Sequence, residues 1–401
     1  LKYKQSEDRS QIVILTEDSW PGRKNLEIFN VVVLNYDGTK QWEKTIELKE
    51  TTGRNFDINR VFVNNAGDVY IYAKKFTDNE DMKSVNDDND KYKAIDRKNK
   101  TVTVNYETVI YALSNNGNTE KMANLSVLNL GGTEFKIDPS TQNLMMVSSY
   151  NDEHEFPQGI MYAEISNKGD IVKNIKSPLP AAYASAILDR QKLSEKEETG
   201  QYIDINNFFL NSKNEIIIVA ENRSLFEFLS NSAPGGTKSN VSGSTWYISS
   251  YYNYVYNYND FYYLKIDAER KNISYITRIP KFQRSDERSN ILNAYTYFNS
   301  ANNKTYIFRN NREETNTTGV SKKSLKEIFK PNFTESNFVV DIINEDGTYK
   351  QATIYEKSEA DDGLIYPGFM FSIDPNKFFF AAKGKGGWST PNIFGTIEIK
   401  E

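Results

Sequence analysis

The chain holds one histidine, His154, and no cysteine. A Ser-His-Asp relay needs an imidazole between nucleophile and carboxylate, and a zinc site draws several ligands from His and Cys. Both chemistries have almost nothing to work with, and thiolate nucleophiles, disulfides and iron–sulfur clusters are excluded. His154 lies beside Asp152, Glu153 and Glu155, which reads as a surface histidine among acids. Gly384, Gly386 and Gly387 follow an apolar run but lack the Lys-Ser/Thr step of a phosphate loop. Asp87, Asp88, Asp90 and Asp96 are oxygen donors of the type calcium takes, yet the EF-hand spacing and its glycine are missing. Their segment, 77–100, is charged and aperiodic and reads as a solvated, mobile loop. Carboxylate pairs for glycoside hydrolysis depend on separation in space, and the sequence singles none out. The expectation is no catalytic, cofactor-binding or metal-ligating residue, no cofactor, and no enzyme.

Aromatic side chains are what the chain has in quantity: 26 Tyr, 23 Phe and 4 Trp. They concentrate in 241–262, where Trp246, Tyr247, Tyr251, Tyr252, Tyr254, Tyr256 and Tyr258 crowd together. Tyr and Trp are large, amphipathic and poor in rotors, the properties of interaction hot spots. These seven are the candidate partner-binding residues. The alternative is a long hairpin whose tyrosines pack on their own fold, and stacking on a sugar ring is a third use.

The elements that would carry these residues repeat. One hairpin recurs at 30–48, 108–125, 159–175, 261–279 and 337–354, alternating apolar residues around a polar turn. Gly38, Gly117, Gly169 and Gly347 sit near four of those turns, where a positive φ is needed. A second hairpin recurs at 58–73, 134–149, 205–220, 294–309 and 368–382, and its later strand is strongly apolar. The two alternate along the chain and together make a four-stranded antiparallel unit, here a-b-c-d. The expected fold is therefore all-β, a single β-propeller domain over 1–401. Counting the two ends as separate sheets gives six blades; merging them gives five, and seven stays open. The N-terminal stretch is expected to supply b, c and d, and 368–400 to supply a, b and c.

Extra length falls at 74–104, 176–204, 221–260 and 310–336. All are b–c or d–a connections, which leave a blade on the same side, so the insertions are expected on one face. Loops on a rigid scaffold are where binding concentrates. Helices are expected at 183–200, with Gly200 as the cap, and at 324–330, where Ser324 and Glu327 form a capping box ahead of Pro331.

Lys+Arg is 49 and Asp+Glu is 54, so the net charge is −5, with none of the basic surplus of a nucleic-acid binder. No apolar run has the length of a membrane helix. Residue 1 is Leu, which fits a chain from which an export signal has been removed.

The Asn-x-x-Gly turns at 35–38 and 344–347 and the Lys/Asn/Tyr/Ile-rich composition resemble exported β-propeller proteins of Bacteroidota. Size, aromatic load and one-sided insertions are similar to the plugs of the type 9 secretion translocon. That resemblance implies a periplasmic or exported, non-enzymatic protein at the outer membrane, whose partner is a large translocon barrel that it closes. The leading expectation is a protein-interaction module; the alternative is a glycan-binding or carbohydrate-active propeller.

Overall fold

A computed structural model describes residues 1–17, 26–52, 56–76, 93–95, 101–103, 106–128, 130–151, 157–184, 198–230, 251–281, 283–285, 295–299, 303–311, 337–356, 364–374, 376–383 and 392–400. The architecture is all-β, with six four-stranded antiparallel sheets of propeller-blade topology. Sheet 1 is β1 (Lys2–Gln5), β2 (Gln11–Glu17), β3 (Leu26–Asn35) and β4 (Lys40–Thr52). Sheet 2 starts with β5 (Phe56–Val63) and β6 (Val69–Phe76). A separate small pair follows, β7 (Lys93–Ile95) with β8 (Thr101–Thr103), before β9 (Tyr106–Ser114) and β10 (Thr119–Leu128) complete sheet 2. Sheet 3 is β11 (Leu130–Ile137), β12 (Leu144–Asn151), β13 (Pro157–Ile165) and β14 (Ile171–Pro178).

Sheet 4 is β15 (Glu198–Leu210), β16 (Ile216–Ser230), β17 (Tyr251–Ile266) and β18 (Ile273–Ile279). A short β19 (Gln283–Ser285) pairs β17 beyond β18. Sheet 5 is β20 (Tyr295–Asn299), β21 (Thr305–Asn311), β22 (Asn337–Ile343) and β23 (Tyr349–Tyr355). In sheet 6, β24 (Leu364–Ile365) and β25 (Phe371–Asp374) both pair β26 (Lys377–Lys383), whose other edge holds β27 (Asn392–Glu398).

By contacts the chain forms two compact units, Leu1–His154 with Gln158–Pro178, and Glu155–Pro157 with Leu179–Glu401. The first contains sheets 1–3. Alternation along each strand sends successive side chains to opposite faces, so a middle sheet feeds two cores. Val109, Tyr111 and Leu113 of β9 join Val13, Leu15, Phe29 and Val31 of sheet 1. Ile110 and Ala112 of the same strand join Phe135, Met146 and Met161 of sheet 3. The second unit repeats the scheme. Ile217, Val219 and Phe261 pack on Ile307 and Ile343, while Tyr306, Phe308 and Val340 pack on Phe378 and Ala382.

Within each sheet, a–b and c–d turns lie at one end of the strands and b–c connections at the other, because neighbouring strands are antiparallel. Every a–b and c–d turn has six residues or fewer. The long connections, 77–105, 179–197, 231–250 and 312–336, are all b–c or d–a. The expected asymmetry therefore holds sheet by sheet. The expected insertions are shorter than read, because strands run into them: β16 continues to Ser230 and β17 starts at Tyr251, with those two residues paired. The 77–100 segment contains β7 and one side of its pairing with β8, not a loop throughout.

Three further readings change. Sheet 1 has its own strand a, β1, where b, c and d alone were expected; Lys-Tyr-Lys-Gln is too short and polar to show a period. Strand a of sheet 6 is broken into β24 and β25 by a 3-10 turn at Pro367–Phe369. Near 183–200 a helical turn is formed at 181–184, with Tyr183 and Ala184 N–H donating to the Pro180 carbonyl. Gly200 lies in β15 rather than at a helix end, and 185–197 lie outside the described residues. The helix expected at 324–330 lies outside the described residues.

Candidate functional site

Charged side chains continue the core between sheets 4 and 5 toward the b–c end of the strands. On β16, Ile217 and Val219 point into that core, and two-residue alternation carries the same face on to Glu221 and Arg223. A register shift between Glu221 and Arg223 marks where the apolar run ends. Facing them are Asp260 on β17, Lys281 just after Pro280, Arg309 on β21 and Asp341 on β22.

Lys281 ties two carboxylates together. Its Nζ donates to Glu221, and its backbone N–H donates to Asp260 Oδ1 at 3.1 Å. Glu221 also accepts from Arg223 Nε at 2.7 Å, and Arg223 Nη2 reaches Asp204 at 2.8 Å. Asp260 accepts from Arg278 Nη2 at 2.6 Å. Deeper in, Arg309 Nε donates to Asp341 Oδ2 at 2.6 Å and its Nη1 to Asn311 Oδ1 at 2.8 Å. Gln351 Nε2 adds a 2.8 Å bond to Asp341 Oδ1.

Exposure grades from floor to rim. Side chains of Lys281 and Glu221 are 0% exposed, while Arg223 is 19% and Arg278 34% exposed. Aromatic rings line the floor: Lys281 Nζ lies 4.6 Å from the Phe261 centroid, and the Arg223 guanidinium 5.0 Å from that of Tyr258. Burial removes water from the Lys281 ammonium and lowers its pKa to about 8, against the pull of Glu221 in the other direction. The shift brings the titration of Lys281, beside the Glu221 carboxylate, closer to physiological pH than that of an exposed lysine.

Of the seven expected partner-binding residues, the structure brings Tyr258 into this cluster, 3% exposed under Arg223 and Lys281. Tyr251, Tyr252, Tyr254 and Tyr256 are placed by backbone on β17, paired with β16. Trp246 and Tyr247 lie outside the described residues, as do His154 and Asp87, Asp88, Asp90 and Asp96. Among the described residues no group of acidic and histidine side chains is arranged to hold a metal. No helix there is long and apolar enough to cross a membrane.

Sequence reading missed Glu221, Asp260, Lys281, Arg309 and Asp341. A signal for part of the set was present: Asp341 interrupts Phe-Val-Val-Asp-Ile-Ile, and Glu221 and Arg223 fall in phase with an apolar strand. A charge at an in-phase position of a buried strand must meet a partner, because unpaired burial is too costly. That partner stands on another strand or connection of the sheet, tens of residues away along the chain, as Arg309 does for Asp341 and Lys281 for Glu221, and is invisible to any local pattern.

No protein-family model and no curated protein sequence matches the chain. Among solved structures it is similar to the α-L-arabinofuranosidase Arb93A of Fusarium graminearum, with 11% identity over 99% of this chain and 92% of that one, TM-score 0.34. It is also similar to the β-propeller domain of the trilobed protease of Pyrococcus furiosus, with 7% identity over 100% and 84%, TM-score 0.38. A third is an ulvan lyase of polysaccharide lyase family PL25, with 10% identity over 98% and 79%, TM-score 0.41. These likenesses are too distant to assign a reaction. They do correct one expectation: chains similar to this one along nearly its whole length include enzymes, so the absence of familiar motifs does not make it a non-enzyme, and that reading is withdrawn.

Proposed function

We propose that the chain is a carbohydrate-active or glycan-binding propeller that works through the charged cluster of sheets 4 and 5. One observation carries the reading: two buried carboxylates converge on one residue, Glu221 accepting from the Lys281 ammonium and Asp260 from the Lys281 backbone N–H, while Arg223 and Arg278 lead from them to solvent. Glycosidic-bond chemistry needs two acid/base groups held in different protonation states. Glu221 and Asp260 are two carboxyl groups in one desolvated cluster beside Lys281, whose pKa burial lowers to about 8, and Tyr258 and Phe261 supply apolar walls. The rim cations suit a glycan bearing carboxylate or sulfate groups. Buried ion pairs are also poor investments in stability, since apolar replacements are often as stable, which favours a use for this one. No observation of this kind favours the translocon plug, so the glycan reading takes its place.

The test is a polysaccharide and chromogenic-glycoside panel, scored for binding, hydrolysis and elimination. The wild type should bind or turn over at least one acidic glycan. Glu221→Gln should lower turnover about a hundredfold or more. Arg278→Ala, at the partly exposed rim, should weaken binding about tenfold and lower the melting temperature as well, because buried Asp260 loses its cation, whereas Arg278→Lys keeps the charge and should restore much of both. Silence of the folded wild type across the panel overturns the reading.

A further inference from the structure

Arg309 and Asp341 form an ion pair with side chains 1% and 0% exposed, and the chemistry proposed for Glu221 and Asp260 makes no use of it. Two-residue alternation puts Ile307, Arg309 and Asn311 of β21 on one face, the face on which Ile307 packs with Ile217, Val219 and Phe261 of sheet 4. Most of the guanidinium is spent within sheet 5. Its Nε donates to Asp341 Oδ2 at 2.6 Å, its Nη1 to Asn311 Oδ1 at 2.8 Å and its Nη2 to Asp341 Oδ1 at 3.4 Å. Gln351 Nε2 holds Asp341 Oδ1 from the other side, at 2.8 Å. One donor leaves the sheet: Arg309 Nη2 also reaches the Pro280 carbonyl, at 3.3 Å.

That carbonyl belongs to the peptide unit that carries Lys281. A trans peptide is planar, with its C=O and N–H on opposite sides. Arg309 holds the C=O side, and Asp260 Oδ1 accepts from the Lys281 N–H on the other, at 3.1 Å. The plane is thus pinned from both sides, and the Lys281 side chain leaves it to place Nζ on Glu221. Two residues on, Gln283 Nε2 donates to the Asn310 carbonyl, a second tie from the same segment to β21.

Arg309 also stands beside Lys281 as a charge. Its guanidinium lies 5.9 Å from the Phe261 centroid, and Lys281 Nζ lies 4.6 Å from the same centroid. Arginine keeps its proton in proteins, so the lysine is the member that titrates. After burial, the Arg309 and Arg223 charges hold the Lys281 pKa down, against Glu221. The charged and titratable groups around it are Glu221 and Arg223 of β16, Tyr258 and Asp260 of β17, Arg278 of β18, Arg309 of β21 and Asp341 of β22.

We propose that Arg309 is the positioning residue of the charged cluster: from sheet 5 it fixes the peptide that carries Lys281, sets the lysine against Glu221 and stands beside it as a permanent charge. The consequence for turnover rests on the glycan reading; the consequences for Lys281 itself do not.

The test compares the full-length wild type with Arg309→Lys, which keeps a cation for Asp341 but loses the fork, and with Arg309→Met/Asp341→Leu, which removes the pair. Ile307→Val, on the same face of β21, controls for lost stability alone. Amide hydrogen exchange at Lys281, taken relative to the amides of β16, should be about tenfold faster or more in both Arg309 variants and unchanged in Ile307→Val. Urea unfolding across pH should show the rise in stability beginning at higher pH in the double variant, because loss of the guanidinium raises the folded pKa of Lys281, and at the wild-type pH in Arg309→Lys. On any glycan the wild type turns over, Arg309→Lys should lower kcat about tenfold with KM unchanged, since Arg309 acts through Lys281. Exchange at Lys281 no faster than in Ile307→Val overturns the proposal, and so does an unmoved pH onset in the double variant. A wild type silent on every glycan overturns the glycan reading alone, and exchange and pH onset still decide this one. If Arg309→Lys does not fold, the double variant carries both readouts.

Discussion

Lys281 is an ammonium group with no exposed surface, and that sets a pH signature. Its pKa falls from 10.5 to about 8 on folding, chiefly because burial strips its water. Below pH 8 both folded and unfolded chains hold the proton, and the cost of burying the charge is fully felt. Between pH 8 and 10 the unfolded chain keeps the proton that the folded chain has released, so this residue makes stability rise with pH. The slope contributed is at most about 1.4 kcal/mol per pH unit. Above pH 10 the buried tyrosines Tyr70, Tyr72 and Tyr111, all with raised pKa, act in the opposite sense, since only the unfolded chain ionises them readily. Urea unfolding at pH 8, 9 and 10 should show the slope in the wild type and a flatter profile in the double variant Glu221→Met/Lys281→Met. Lys281→Met alone leaves Glu221 with less cationic compensation in a dry site and should cost about 3–5 kcal/mol. The double variant should recover most of that.

The turns show how one element uses a residue for two reasons. Gly347 has φ +85°, and its carbonyl accepts from Thr277 of the preceding d strand, β18. A Cβ at that position would overlap the Ile276 side chain. Gly117 is met in the same way by Trp42 and Lys44 of β4, and Gly169 by Lys121 of β10. Gly38 shares the positive φ, +83°, but has nothing within 4 Å of its missing Cβ. Backbone strain alone costs about 1 kcal/mol, and overpacking adds about 1–3 kcal/mol. Gly347→Ala should therefore destabilise by about 2–4 kcal/mol and Gly38→Ala by about 1 kcal/mol, read from urea midpoints at constant slope. The positive φ was legible from the Asn-x-x-Gly spelling. Contact with the next sheet was not, because it pairs residues about seventy positions apart, as Thr277 and Gly347 are.

At the scale of the whole chain, tight turns and long excursions are sorted by their place in the sheet. The 231–250 connection joins Ser230 to Tyr251, which already face each other in register. Replacing it with a four-residue turn shortens the closed loop and should change stability by no more than about 1–2 kcal/mol. Circular dichroism and melting would check this, and a collapse of the fold would show that the excursion holds the sheet together. The count of sheets, the a-b-c-d order and most turn positions were legible, because a two-residue period and glycine punctuation are local. Strands β1, β24 and β25 were not, being too short to display a period.

The amino-acid order alone settled that the chain is all-β with a repeated four-strand unit, that cysteine chemistry is absent, and where the long connections leave the sheets. These follow from composition and short-range alternation, which each strand expresses without its neighbours. Only the tertiary structure put Glu221, Asp260 and Lys281 into one dry cluster. Glu221 and Lys281 stand on different strands of the sheet, sixty residues apart in the chain. Their meeting is a property of how the strands are laid beside one another, which no short-range pattern encodes.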